Sequence, residues 1–516
     1  MVKTRMRYLL KTRLVHCALA ALSMHFQIAK SVEVFAAREF GATGDGKKMD
    51  TAAIQKAIDA AATAGGGTVW FSTGTYLTGS VFLKSHVKLH LDQGALLLGS
   101  PQRSDYFKLN FLGLIIADKQ EDIGIEGTGV INGQGRLLAV GYEMPVTHGR
   151  WPNAREAERP VIINFRNCQN IAIRDVTLTN SACWMQLYRD CRNITVENIT
   201  VRNMSALTND GLDIDGCTHV VVRGCDIDSE DDGICLKSSD KVCEDIVVEK
   251  CRVRSTCNAL KFGTASFVGF KNIICRDLII YDTYISAIAL ELVDGGTMEN
   301  VQINRVKISD CNNAIFLRLG HRNEKGPVGS FHNVIISDVS AEIPNRRPEE
   351  MNKFPGPWRH RCTTLVTASI TGLPGHPVRD VTLTNMCIGY GGIGDTPQAD
   401  HHRLDSLDKI QECEDNYPES KMFGVLPAWG FYCRHAEGVN FENVTLCVKA
   451  KDYRPALVCD DVKNLLLDGF HVLSAGKEPV IYLKDVQGAT IRNSPTPSGA
   501  VSFIKASGNT SNVTSP

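Results

Sequence analysis

The chain has 516 residues, 43% of them hydrophobic and 22% charged, and a formal net charge of -1 at pH 7. That balance offers no electrostatic footprint for a nucleic-acid partner and no acidic tail. The length would ordinarily imply several domains, but a repeat protein escapes that prior, because each unit packs on its neighbours along one axis.

Lys3, Arg5, Arg7, Lys11 and Arg13 precede an apolar run from Leu14 to Phe26, so residues 1–31 read as an export signal and the protein as secreted or periplasmic. His16 and His25 interrupt the run. It is too short and broken for a membrane span, which needs roughly 20 apolar residues, and nothing later qualifies. The stretch Phe40-Gly-Ala-Thr-Gly-Asp-Gly46 then leads into a predicted helix from about Asp50, with Ile54, Ala57, Ile58 and Ala61 on one face. Asp50 or Thr51 is its expected N-cap. Strands follow from Gly65 to Phe71 and from Val87 to Leu98, and the helix is placed as a plug over the open end of what comes next.

A nine-residue phrase then recurs. It begins at Cys168, Cys191, Cys217, Cys243 and Phe270, with weaker copies at Met298, Phe331, Val378, Gly438, Val462 and Val486. The first spacings are 23, 26, 26, 27 and 28 residues. Within each phrase the apolar residues alternate at period two, the mark of a strand with one buried face. Short strands at such a period, with Asn, Asp and Gly between them, predict an all-β stacked solenoid spanning residues 36–495. The third position of the phrase (Asn170, Asn193, Asp245, Asn272, Asn300, Asn333) suits a turn or a ladder of stacked amides.

The 18 cysteines follow the same period: Cys191, Cys217 and Cys243 recur one repeat apart, as do Cys225 and Cys251. Stacked small hydrophobes are the expected reading, although export would permit disulfides. No C-x-x-C pair is present, and no metal or cofactor is expected. Residues 341–437 read as a loop-rich insertion bearing Trp358, Tyr417, Trp429, Tyr432 and Arg434, aromatic and basic groups suited to a cleft wall. Residues 496–516, rich in Ser, Thr, Asn and Gly, read as a flexible tail.

Chemistry concentrates in two motifs. Asp210 lies in T-N-D-G-L-D, and Asp231 with Asp232 lies in S-E-D-D-G-I, 21 residues on. One coil apart, the two sites fall on adjacent rungs about 5 Å apart, where clustered carboxylates cannot all ionise freely and at least one pKa must rise. Paired carboxyl functions of that kind perform glycosidic hydrolysis, one as acid and the other as base or nucleophile. As bare dipeptides, Asn-Asp-Gly and Asp-Asp-Gly are also ordinary turns.

With the repeat, the F-G-A-x-G-D-G start and the N-D-G/D-D-G pair, the chain resembles polygalacturonase-type glycoside hydrolases of family 28, from about residue 36 to about 490. The resemblance implies a right-handed parallel β-helix and inverting hydrolysis of a pectic poly- or oligosaccharide, galacturonan or rhamnogalacturonan-like. It also implies that Asp210 and Asp232 activate water while Asp231 protonates the leaving oxygen. Two family motifs are altered. Asn258 stands where G-H-G has its histidine, and Ala289-Leu-Glu291 replaces the R-I-K that grips a galacturonate carboxylate. Two cations are thereby lost and a carboxylate added, which disfavours galacturonate at that position.

Lys237, Asn258, Lys261, Glu291 and Arg318 are the candidate substrate-binding residues, with Asp294, His321 and Arg322 beside them. Trp184 is expected to pack in the core. A monomer is expected. The alternatives are a polysaccharide lyase, in which carboxylates hold calcium and a Lys or Arg takes the proton, and a non-catalytic carbohydrate-binding solenoid.

Overall fold

Each nine-residue phrase folds as a strand whose alternate residues point inward, so that Ile171 and Ile173 lie on Ile194 and Val196, and these on Val220 and Val222. All of these side chains are buried, each worth roughly 1.5–3 kcal/mol relative to exposure. The computed structural model describes residues 33–139, 157–345, 366–392, 404–473 and 479–515. The expected export signal and Trp358 lie outside these.

A coil contributes three short strands, as in Gln186–Arg189, Arg192–Glu197 and Thr200–Asn203. Each pairs in parallel with its counterpart one coil on, and the coils wind as a right-handed parallel β-helix. Registers follow the repeat through Met298, Phe331 and Val378. The copy expected at Gly438 begins two residues earlier, since Val378 pairs with Ala436 and Ala436 with Val462.

The corners explain the polar part of the phrase. Asn170, Asn193, Asp245, Asn272, Asn300 and Asn333 all take a left-handed backbone, which Asn and Asp tolerate better than most residues. Their side chains form a ladder: Asn193 Nδ2 donates to Asn170 Oδ1 at 2.9 Å, Asn300 to Asn272 at 3.2 Å and Asn333 to Asn300 at 2.8 Å. Turn and ladder are therefore one device. The 16 described cysteines are all free. Those of the stack are buried and donate to corner carbonyls, Cys191 Sγ to Arg189 O at 3.2 Å.

The N-terminal helix, Thr51–Thr63, buries Ile54, Ala57, Ile58 and Ala61 against the first coil. Asp50 holds the expected N-cap position, but its side chain makes no capping bond. Asp50 instead accepts hydrogen bonds from Thr43 N at 2.8 Å and Gly44 N at 3.0 Å, tying the Gly-rich loop to the helix start. The described part of the tail, residues 496–515, also departs from expectation. Ile504–Ser507 pairs with Ile481–Lys484 and Ser511–Thr514 with Gln487–Arg492, so the tail adds another rung. Rungs run through the loop-rich stretch as well, as Ala368–Thr371 and Val378–Tyr390. No described helix is long and apolar enough to cross a membrane.

Candidate active site

One face of the β-helix gathers the predicted carboxylates and lysines. Its strands are Leu212–Asp215, Ile234–Ser238, Leu260–Ser266 and the ends of Gly269–Leu292 and Thr297–Leu319, in parallel register. Leu212, Ile214 and Leu236 point inward, which turns Asp213, Cys235 and Lys261 outward on consecutive rungs.

Asp210 and the Asp231–Asp232 pair sit in the bends that enter two of these strands. The rungs are hydrogen-bonded there, Gly211 N to Asp232 O at 2.9 Å and Asp231 N to Asn209 O at 3.3 Å. The glycine after each motif permits this approach. A Cβ on Gly211 would lie 2.5 Å from the Gly233 carbonyl oxygen, and one on Gly233 would lie 2.6 Å from that of Ala259. Asn209 spans the bend, donating to Ser181 O at 3.0 Å and Cys183 O at 2.7 Å. Asp210 and Asp232 are buried, whereas Asp231 is part-exposed.

Two buried lysines divide the carboxylates between them. Lys237 Nζ forms ion pairs with Asp213 Oδ1 at 2.8 Å and Asp210 Oδ2 at 3.8 Å, and donates to Cys235 Sγ at 2.9 Å. Lys261 Nζ donates to Asp232 Oδ2 at 2.9 Å and lies 3.6 Å from Glu291 Oε2. Asn258 completes the setting of Asp232, its Nδ2 donating to Oδ1 at 3.0 Å while its own Oδ1 accepts Ser286 N at 3.1 Å.

This arrangement separates the protonation states. Burial alone would raise Asp232, but Lys261 and Lys237, with the bonds from Lys261 and Asn258, outweigh it and hold the carboxylate below its ordinary value. Asp210 is pushed well above its ordinary value by burial and by Asp213 and Asp231, with Lys237 opposing. Burial pushes Asp213 up to about 6, again against Lys237. Asp210 and Asp213 thus both lie above the ordinary carboxylate range beside one ammonium. Burial also raises Glu291, to about 8, with Lys261 opposing. Both lysines stay cationic: burial would lower them, but their carboxylate neighbours win.

The other candidates divide. Trp184 is not in the core; its half-buried ring packs on Phe111 at 4.8 Å and takes the Lys237 ammonium at 4.8 Å from its centroid. Tyr417 reaches the site, its hydroxyl 3.0 Å from Lys261 Nζ. Asp294 binds Arg322 at 2.9 Å and accepts Ser266 N at 3.0 Å. Arg318 does not face a sugar. Only 1% exposed, it donates to Gly372 O at 3.1 Å, Glu412 O at 2.6 Å and Cys413 O at 3.1 Å. Trp429 and Tyr432 are likewise buried packing residues, and Arg434 is tied to Glu412 at 2.6 Å. Sequence reasoning missed Asp213 and Cys235, although repeat alignment puts both on the outward register of Lys261.

The fold and site together define a parallel β-helix that carries a bend-borne carboxylate cluster on one face. The chain belongs to the rhamnogalacturonase A/epimerase, pectate lyase-like family, whose model matches residues 34–322. It is 26% identical over 302 residues to a probable polygalacturonase of Vitis vinifera, covering 55% of this chain and 56% of that one. It is 27% identical over 245 residues to an exo-poly-alpha-D-galacturonosidase of Dickeya chrysanthemi, covering 38% of this chain and 40% of the other. The chain therefore spans about half the length of these curated relatives. A hyperthermoactive exopolygalacturonase from Thermotoga maritima shares the fold, with a TM-score of 0.57 at 21% identity over 69% of this chain and 87% of that one.

Proposed function

We propose that the protein is a secreted or periplasmic glycoside hydrolase that cleaves pectic polysaccharide by inverting acid/base hydrolysis. The observation that carries this reading is the contrast between Asp232, held ionised by Lys261 and Asn258, and the adjacent part-exposed Asp231. Asp232 takes the proton of the attacking water. Asp210, which shares its charge with Asp213 beside Lys237, orients that water. Asp231 is the carboxyl with access to the substrate and gives its proton to the leaving oxygen.

The cations beyond the aspartates favour a substrate other than plain galacturonan. Lys237 is engaged by Asp213, Lys261 by Asp232, Arg318 by backbone carbonyls and Arg322 by Asp294. Among the described residues, none of these four is left over to grip a uronate carboxylate as an unengaged fork of donors would. A neutral sugar suits that subsite, hence a rhamnogalacturonan-like chain.

The lyase alternative needs a basic Lys or Arg near the scissile bond, and both lysines here are held protonated. Asp231→Asn tests the assignment. On a panel of rhamnogalacturonan and galacturonan oligosaccharides, activity is expected to fall about 10²–10⁴-fold. Turnover retained in that variant would sink the role of Asp231. Products absorbing as unsaturated uronides, lost on chelation, would replace hydrolysis by elimination.

A further inference from the structure

Glu291 and Arg318 occupy neighbouring outward positions on the functional face, where a solenoid normally meets water. Yet Glu291 is 0% and Arg318 1% exposed. What covers the Arg318 side of that face is the segment from Leu404 to Gly430, which lies across it as a strap. Leu407, Ile410, Leu426 and Ala428 of the strap form a small apolar cluster of their own with Tyr432, Val458 and Tyr482, outward residues of successive rungs.

The strap is tied down along its length. Arg434 Nη1 donates to Ile410 O at 2.8 Å and Arg454 Nη1 to Leu426 O at 3.0 Å. His321 N donates to Glu414 O at 2.8 Å, and Arg318 holds the carbonyls of Glu412 and Cys413. Its tip is Tyr417. The hydroxyl meets Lys261, and the ring, 51% exposed, also lies over the Arg322 guanidinium at 5.4 Å. Since Lys261 in turn binds Asp232, only two hydrogen bonds separate the Asp232 carboxylate from this wall.

From this geometry we propose that the strap closes the cleft on its C-terminal side at Tyr417, leaving room there for a single sugar beyond the aspartates. The enzyme then removes one residue from a chain end and does not cut inside the chain. Tyr417 is the specificity-determining residue, a barrier that touches the terminal sugar. The inference rests on the hydrolase reading above.

The test uses the full chain and short rhamnogalacturonan and galacturonan oligosaccharides labelled at the reducing end, with products weighed at low turnover. Products one residue shorter than the substrate, and no internal fragments, are expected. Internal fragments from the start would overturn the exo assignment and leave the hydrolase reading standing. No cleavage of any substrate would overturn both. Tyr417→Ala keeps the anchored strap backbone and is expected to release products shortened by two residues. Tyr417→Gly serves the same purpose if that variant folds poorly. A product pattern identical to the wild type in the folded variant would overturn Tyr417 as the barrier.

Discussion

Lys261 binds Asp232 at 2.9 Å in a site where both are largely buried, so each controls the charge of the other. Replacing it by Met removes the main opposition to burial, and the Asp232 pKa rises. The acidic limb of the kcat/KM profile is then expected to move to higher pH, with activity at neutral pH reduced about 10²-fold. A profile with an unmoved acidic limb would mean that Asp232 is not the base.

Glu291 shows the opposite balance. Burial raises its carboxyl from the ordinary 4.5 to about 8. The unfolded chain releases this proton above 4.5, whereas the folded protein keeps it until about 8. The contribution is therefore present in full below the unfolded pKa and lost as pH rises through the folded one. Glu291→Gln is expected to flatten the decline of Tm across that window, a difference on the order of a few kcal/mol at its upper end. A Tm that falls equally in both proteins would overturn this account.

At the scale of elements, the bends that carry the aspartates depend on close stacking more than on turn propensity. Neither Gly211 nor Gly233 needs a left-handed backbone; each is glycine because the next rung's backbone is too near for a Cβ. Gly233→Ala is expected to cost about 1–3 kcal/mol by overpacking, read as a lowered Tm, and to displace Asp232. The strap depends on side chains scattered over the chain, with Arg318 holding two of its carbonyls and Arg434 and Arg454 one each. Nothing in the local sequence of residues 404–430 states where it lies.

For the whole molecule, the stacking that builds one continuous core also creates two ends. The Thr51–Thr63 helix covers the first. On the C-terminal side, Ile504–Ser507 and Ser511–Thr514 extend the sheets by one rung beyond Ile481–Lys484 and Gln487–Arg492. Truncation before Ile504 is expected to bare the edges of Ile481–Lys484 and Gln487–Arg492, lowering the unfolding temperature and promoting edge-to-edge aggregation. Light scattering on heating checks this. An unchanged onset of aggregation would show that the last rung protects nothing.

The solenoid, its register through Val378 and the adjacency of Asp210 to Asp231–Asp232 were legible in the sequence, because period and alternation are local properties that stacking simply repeats. So were the amide ladder and the cysteine stack. The expected loose tail failed because its polar composition hides two strands stabilised by pairing with the rung before. The chemistry of Arg318, Trp429 and Tyr432 suggests a place on the cleft, whereas contacts far along the chain bury them. Trp184 was placed in the core for want of its partner, Lys237, 53 residues on. Which carboxylates meet follows from the length of one coil, and that length can be read along the chain. Which of them stays charged depends on burial and on groups brought together across many coils, and no local stretch of residues carries that.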